Sequence, residues 1–420
     1  MSPDADENKI LFLLTYGYPF KIGEEHLEDE MDYLADSFSE IQLICLGDQM
    51  VRTRKVPANV TVNKLPEKRD WWEKFRLLVI ADWVDVWNEF KSISFRYKLH
   101  RSKNVLKTGL ASYLRALSIS KFISSRLKPG DNQKVFLYAY WNDAAALAIA
   151  MVKKHHPQVT AVSRAHRYEV YADQNKLNYL PFTFFKFKFL DAVFFVAEDG
   201  RNYTLKQFPF IESRKLKIGR LGVEVFPAIR LNAHKKNLIV FSISYFLEVK
   251  RVLLIAESLA LIEDIETEWL HIGEGFNDVA SYRKRINDVL KDHPNIKYDL
   301  LGNMLKSEVI SFLQNHYIDL LINVSTSEGL PVSMMEAMSC SIPVLATNVG
   351  GVEDIVIDRF NGFLISPDST PRQIADCLRS YYQLPGAAKE KLRLNAFNTW
   401  KEKFNADINF PSFVKEVLSL

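Results

Sequence analysis

The 420-residue chain has little cysteine: Cys45, Cys340 and Cys377 are scattered. That spacing excludes a disulfide framework and a zinc-finger pattern, and leaves all three as small core residues. No stretch approaches the roughly 18 consecutive apolar residues that a membrane span requires. The start, MSPDADENK, is acidic, and the first apolar run, ILFLL, is too short for a signal peptide. A cytosolic protein is therefore expected. No G-x-G-x-x-G follows that first run; TYGYPFKIG stands there instead, which argues against a nicotinamide-dependent oxidoreductase. No D-x-D occurs at a strand end to hold a divalent ion. Internal repeats and low-complexity segments are also lacking.

What the chain does have is 48% apolar and 25% charged residues, ordinary for a protein with a sizeable core. Its length makes two domains the default. Short apolar runs at 9–15, 41–46, 134–140, 159–163, 192–197 and 216–222 read as buried strands, with amphipathic stretches between most of them. A second series follows at 237–243, 268–273, 296–302, 318–324, 342–347 and 362–366. Near-continuous apolar strands alternating with helices imply parallel sheets covered on both faces. About twelve strands are too many for one comfortable open sheet, so two sheets are expected. The polar stretch at 225–237, containing Pro227, is the expected break. The fold class is α/β, with two Rossmann-like, doubly wound domains facing across a cleft: residues 1–225, then 226–400. A terminal helical segment, 401–420, is expected to pack back on the first domain.

Residues 51–130 depart from this alternation. They hold 18 Lys/Arg against 6 Asp/Glu, a net +12 in a chain of net +3, so the remainder carries −9. The same region contains Trp71, Trp72, Phe75, Trp83, Trp87, Phe90 and Phe95. A basic and aromatic helical insertion at about 66–128 fits an anionic membrane surface; a solvated insertion with its aromatics on the core is the plainer alternative. No nucleic-acid motif accompanies the charge. The aromatic run FTFFKFKF (182–189) reads as a buried helix with Lys186 and Lys188 reaching out.

The segment STSEGLPVSMMEAMSCSIPVLATNVGGVEDI, 325–355, raises the sharpest question. Glu328 and Glu336 stand eight positions apart in an almost uncharged run. Glu328 follows an apolar strand and precedes the Gly329-Leu330-Pro331 turn; Glu336 lies about one turn into the next helix. Free amides at that helix start suit a phosphate. A buried carboxylate in such a mouth is costly unless hydroxyl or amide donors meet it. A sugar nucleotide supplies hydroxyls on both sides of a diphosphate. The plainer alternative has Glu328 capping the turn and Glu336 on the surface.

The stretch SEGLPVSMMEAMSCSIPVLATNVGGVEDIV…NGFLI (327–365) resembles the donor-site signature of retaining glycosyltransferases of family 4, which have the GT-B fold. HIGEG (271–275), LGNM (301–304), VKRVLLIAESL (249–259) and GRLGVEVF (219–226) are similar to further elements of that family. YGYPFKIGEEHLEDEMDYLA (16–35), YAYWNDAAALA (138–148) and SRAHRYEVY (163–171) resemble acceptor-domain elements of its polysaccharide-synthesis members.

The resemblance implies a retaining, metal-independent transfer from a nucleotide sugar, of the UDP or GDP type, to a saccharide or lipid-linked saccharide. No cofactor is implied. Glu328 would sit against the transferred sugar, Glu336 would bind the ribose, and Lys250 would contact the diphosphate. The turn Gly329, Leu330, Pro331, Val332 and Ser333 would bind sugar hydroxyls or phosphate through the backbone amides it carries, Pro331 having no N–H to give. The glycine turn Gly273 and Gly275 and the segment Gly302, Asn303 and Met304 would line the donor pocket. His166 would lie at the reacting centre, its neutral form favoured by Arg164 and Arg167. Gly23 would admit the phosphates to the first loop. Glu24, Trp141, Asn142, Arg164 and Arg167 are candidates for the acceptor side. The arginine usual in the family five residues before Lys250 is replaced here by Tyr245, and Arg251 or a basic residue of the other domain is the candidate substitute. A nucleotide-sugar epimerase of the same plan and a non-catalytic sugar- or nucleotide-binding partner are the alternatives.

Overall fold

The computed structural model describes residues 8–20, 24–48, 51–65, 71–98, 102–127, 133–224, 237–275 and 278–420. The chain forms two compact units, Met1–Arg220 with Asn409–Leu420, and Leu221–Ile408. The expected break at 225–237 lies, except for Asn237, outside the described residues, as does Gly23.

In the first unit the described residues form seven strands: β1 (Asn8–Thr15), β2 (Glu40–Cys45), β3 (Val60–Lys64), β4 (Gln133–Ala139), β5 (Thr160–Ala165), β6 (Ala192–Phe195) and β7 (Leu216–Ile218). Their order is β3-β2-β1-β4-β5-β6-β7, and the pairings are parallel. Leu13, Leu137, Ala161 and Val193 are fully buried, as covered parallel strands require. β3 was not expected. In its sequence, VTVNK, only Val60 is buried, so an edge strand here lacks the continuous apolar run that marked the others. Of the terminal residues counted with this unit, Phe413 packs on Tyr138 and Phe194, with ring centroids 5.2 and 4.8 Å apart.

The second unit has six strands among its described residues: β8 (Leu238–Ile243), β9 (Thr267–Ile272), β10 (Ile296–Leu300), β11 (Leu320–Asn323), β12 (Val344–Thr347) and β13 (Gly362–Ile365). The order is β10-β9-β8-β11-β12-β13, again parallel. In both sheets the strand order reverses beside the unit's first strand, between β1 and β4 and between β8 and β11. Loops leaving the carboxyl ends there diverge to opposite faces and leave a crevice, where open α/β sheets bind ligands.

Cys45 and Cys340 are buried, Cys377 is half-buried, and all three are free thiols. Among the described residues no helix is long and apolar enough to cross a membrane.

Candidate functional site

The second unit brings Lys250 and Glu328 together at its reversal point. Lys250 ends a short 3-10 turn after β8, and Glu328 lies in the loop after β11. Lys250 Nζ is 2.6 Å from Glu328 Oε1, and Asn323 Nδ2 donates to the same oxygen at 3.1 Å. Glu328 is buried, so these donors meet the requirement that a buried carboxylate be partnered. The two loops are also joined through the backbone, Thr326 N–H donating to the Val249 carbonyl at 2.8 Å.

The Gly350-Gly351 pair closes on the Glu328 turn. Gly351 N–H donates to the Gly329 carbonyl at 2.9 Å. Gly350 has φ +54°, and a Cβ there would stand 2.0 Å from the Glu328 carbonyl oxygen. Only glycine permits this approach.

Helix Val332–Ser339 starts directly after Pro331. Its first N–H groups, at Val332 and Ser333, have no helical acceptor, as at any helix start. Glu336 is buried at 8% exposure, which excludes the surface alternative.

On the other side of β8, Gly273 turns the chain after β9 at φ +96°, where a Cβ would come within 2.7 Å of the Ser244 carbonyl oxygen. Gly273 N–H donates to the Gly302 carbonyl at 2.8 Å. Asn303 Oδ1 accepts from the Glu274 and Gly275 N–H groups at 2.9 and 3.1 Å, tying the loop after β10 to that after β9. Asn303 and Met304 border a groove of about 510 Å³ that Phe312 and His316 also line. Tyr245, after β8, is exposed. Arg251 adopts φ +49°; its Nε and Nη1 donate to the Val324 and Pro367 carbonyls at 2.5 and 2.8 Å. Its guanidinium thus braces two loops.

The first unit assembles a second cluster at its own reversal point. His166, after β5, is half-buried, with Nδ1 3.0 Å from Glu169 Oε1. Its Nε2 is buried and has no hydrogen-bond partner among the described residues. Trp141, after β4, packs against His166 with ring centroids 4.3 Å apart. Asp143 Oδ2 accepts from the Tyr16 and Tyr168 hydroxyls at 2.8 and 3.1 Å, and its Oδ1 caps the next helix through Ala145 N–H at 2.9 Å. Burial pushes the Asp143 carboxyl above the usual range, and the Ala145 N–H and the Tyr16 hydroxyl oppose the shift.

Residues 228–399 match the family model described as Glycosyl transferases group 1. An uncharacterized glycosyltransferase of Methanocaldococcus jannaschii is 40% identical over 104 residues, 24% of this chain and 27% of that protein. A putative colanic acid biosynthesis glycosyltransferase of Escherichia coli, WcaL, is 24% identical over 213 residues, 49% of this chain and 50% of that one. The chain thus spans between about a quarter and a half of these relatives' lengths. Among solved structures, Anabaena HepE in complex with UDP and glucose superposes with a TM-score of 0.67 at 15% identity, covering 99% of this chain and 100% of HepE. The chain has the GT-B fold. The lipopolysaccharide outer core galactosyltransferase WaaB, solved in its apo form, shares the GT-B fold with a TM-score of 0.66 at 12% identity, covering 98% and 99% of the two chains.

Several expectations change in this GT-B chain. Arg164 is fully buried and paired with Glu30, its guanidinium 4.2 Å from the Phe413 ring centroid, so it cannot face an acceptor. Glu24 adopts φ +57°, and its carboxylate folds back to accept from the N–H groups of Tyr16, Gly17 and Tyr18 at 2.7–2.8 Å and from Trp141 Nε1 at 2.6 Å. It holds the first loop. Asn142 is buried, with its carbonyl accepting from Lys186 Nζ at 2.5 Å. Lys186 is therefore buried too, because its face of the helix Thr183–Phe189 turns inward while Lys188 stays exposed. Burial lowers the Lys186 ammonium to about 8, against the pull of Asp143, Glu169 and Glu89. The group touching His166 is the Glu169 carboxylate, where flanking cations were expected; Arg167 contributes its backbone N–H to Glu169 at 3.2 Å.

Sequence reasoning missed Asn323, Asp143, Tyr16 and Glu169. Glu169 stands three residues after His166, inside a stretch already singled out, and Asp143 follows Asn142. Their positions at strand ends were the available signal.

Proposed function

We propose that this protein is a retaining glycosyltransferase that moves a sugar from a nucleotide-sugar donor to a saccharide or lipid-linked saccharide in cell-surface polysaccharide synthesis. The observation that carries this reading is the 2.6 Å pair of Lys250 and Glu328 at the β8–β11 reversal, inside the part of the chain that matches the group 1 glycosyltransferases. The UDP held by HepE supports a nucleotide-sugar donor, with UDP the first base to try.

In this reading transfer creates charge in two places. The sugar becomes oxocarbenium-like and the departing diphosphate gains negative charge. Lys250 and the amides of Val332 and Ser333 meet the diphosphate, which is electrostatic stabilisation of the leaving group. Glu328 lies against the sugar and exchanges Lys250 for a sugar hydroxyl once donor binds. Glu336 binds the ribose. The leaving phosphate takes the acceptor's proton on the same face that is attacked, so neither a protein nucleophile nor a metal ion is required. His166 Nε2 offers its hydrogen-bonding position to the sugar.

The enzyme works at the inner face of a membrane. Trp83, Trp87 and Phe95 are 55%, 56% and 82% exposed in a segment of strongly positive charge, which supports peripheral contact with anionic lipid.

The test is a melting screen over UDP-, GDP-, ADP- and dTDP-sugars, since a ligand of the folded state raises Tm. Labelled donor is then incubated with lipid-linked oligosaccharide, and the anomer of the product is read by NMR. Glu328→Gln is expected to keep donor binding within a few-fold and to lower turnover by roughly a hundredfold or more, the scale of losing one transition-state contact. If no nucleotide sugar shifts Tm, or if the product is inverted, the reading fails.

A further inference from the structure

The basic region contains a groove whose lining is more selective than its overall charge. Helix Lys103–Ser124 buries Val105, Gly109, Tyr113 and Ala116 against the first unit. Beside that buried face runs a second stripe, Asn104, Lys107, Thr108, Ser112 and Arg115, with the spacing of one helix flank. This flank lines a groove of about 950 Å³ whose other contributors include Tyr16, Asp143 and Lys176. Tyr16 and Asp143 place it at the carboxyl ends of β1 and β4.

The chemistry of the lining is one-sided. Lys107 and Lys176 are exposed to the groove and have no carboxylate partner among the described residues. Arg115 lies over the Tyr16 ring, 5.1 Å from its centroid, and donates to the Leu46 carbonyl at 3.1 Å, which fixes its guanidinium at the groove wall. The one acid in the lining, Asp143, already accepts from two tyrosine hydroxyls and a backbone N–H. Thr108, Ser112 and Asn104 add neutral donors. Lysines held apart from carboxylates, next to hydroxyl and amide donors, match an oxyanion with several oxygens to satisfy.

We propose that this groove binds the anionic part of the acceptor, a phosphoryl or carboxylate group carried next to the saccharide. The word acceptor rests on the glycosyl-transfer reading; anion binding in the groove does not. The anion has two possible sources, the diphosphate of a lipid-linked saccharide and the carboxylate of a sugar acid. Lys107 and Lys176 bind it as point charges, and the hydroxyls of Thr108 and Ser112 donate to its remaining oxygens. Acceptors lacking the charge would leave the two lysines with no counter-ion and bind more weakly.

The test uses the full chain carrying Lys250→Met, which removes the lysine of the second unit that would also attract phosphate. Inorganic pyrophosphate and methyl glucuronide are titrated separately by calorimetry, then again after adding Lys107→Ser and Lys176→Ser. Both lysines are exposed, and unchanged Tm without ligand confirms that the variants fold. One probe is expected to bind the parent and to lose at least tenfold in affinity in the serine variant, with recovery when arginine replaces both lysines. Pyrophosphate as that probe assigns the phosphoryl source, and the glucuronide assigns the sugar acid. Binding of neither probe, or equal binding with and without the lysines, overturns the proposal. UDP titrated into the unaltered chain reports on the donor reading separately, so loss of one leaves the other standing.

Discussion

The Nδ1 of His166 lies 3.0 Å from Glu169 Oε1, and the backbone N–H of His166 donates to the same oxygen at 2.9 Å. Burial would raise the Glu169 carboxyl, but the hydrogen bonds from the His166 ring and backbone outweigh it and hold the carboxyl below its usual range. A carboxylate can only accept, so the proton sits on Nδ1 and the free Nε2 is directed to whatever ligand arrives. Glu169→Gln is expected to loosen that choice. In 15N spectra of the imidazole, the Nδ1–H form should dominate in the parent and a mixture should appear in the variant. Turnover should fall about tenfold or more, about 1.4 kcal/mol, with donor affinity little changed. An unaltered tautomer would show that Glu169 only braces the loop.

Gly350 tests the closeness of the Glu328 turn. With a Cβ 2.0 Å from the Glu328 carbonyl oxygen, Gly350→Ala must displace one of the two loops. The cost is expected at about 2–4 kcal/mol, the range for a steric conflict at a left-handed position. Denaturant unfolding should show the loss, and any donor binding should weaken with it. Gly386, at the start of its helix with nothing near the Cβ position, should accept alanine freely and serves as the control.

His271 predicts an acid limit for the second unit. Its Nε2 lies 2.7 Å from the Gly273 carbonyl, and its Nδ1 lies 2.7 Å from Ser242 Oγ. The carbonyl can only accept, so Nε2 carries the proton and Nδ1 accepts from the serine. Trp269 Nε1 completes the chain by donating to Ser242 Oγ at 2.8 Å. Burial lowers the imidazole from 6.5 to about 4. Between those values the unfolded chain binds a proton that the folded chain does not, so stability rises with pH across that window. It is fully present above about 6.5 and is lost as pH falls toward 4, by about 3 kcal/mol. His271→Gln should flatten this part of the stability–pH curve relative to the parent.

How much of this was legible before the fold was known depends on the range of each contact. β1, β4 and β8 announced themselves because a parallel strand covered on both faces must be apolar at successive positions. β3 did not, because its edge position buries only Val60. Glu328 and Glu336 stood out as charges in an uncharged run, and their burial follows from the same apolar neighbours. Arg164 was read as a cation on the acceptor side because its partner, Glu30, is 134 residues away. Lys186 failed similarly, since whether a lysine on a short helix points in or out depends on what the helix lies against. Glu24 folds back through a left-handed backbone that nothing local demands. Single residues within a motif could be read; the pairs they make, even His166 with Glu169 three residues on, could not.

The aromatic surface of the first unit gives the last prediction. Trp87 and Phe90 stack with centroids 5.4 Å apart, and Lys91 lies 5.9 Å from the centroid of the Trp87 ring. Phe184 and Phe210 form a second exposed pair at 5.3 Å. Aromatic rings beside lysines suit the interface of an anionic bilayer, where each nearby cation contributes about 1 kcal/mol at moderate salt. The chain should sediment with phosphatidylglycerol vesicles and not with pure phosphatidylcholine, and tryptophan emission should shift to the blue. Replacing Trp83, Trp87 and Phe95 by serine should weaken binding by at least tenfold, and raising the salt should do the same by screening the charge. Equal sedimentation with neutral vesicles would leave hydrophobic adsorption as the cause, and retained binding in the triple variant would place the contact elsewhere on the protein.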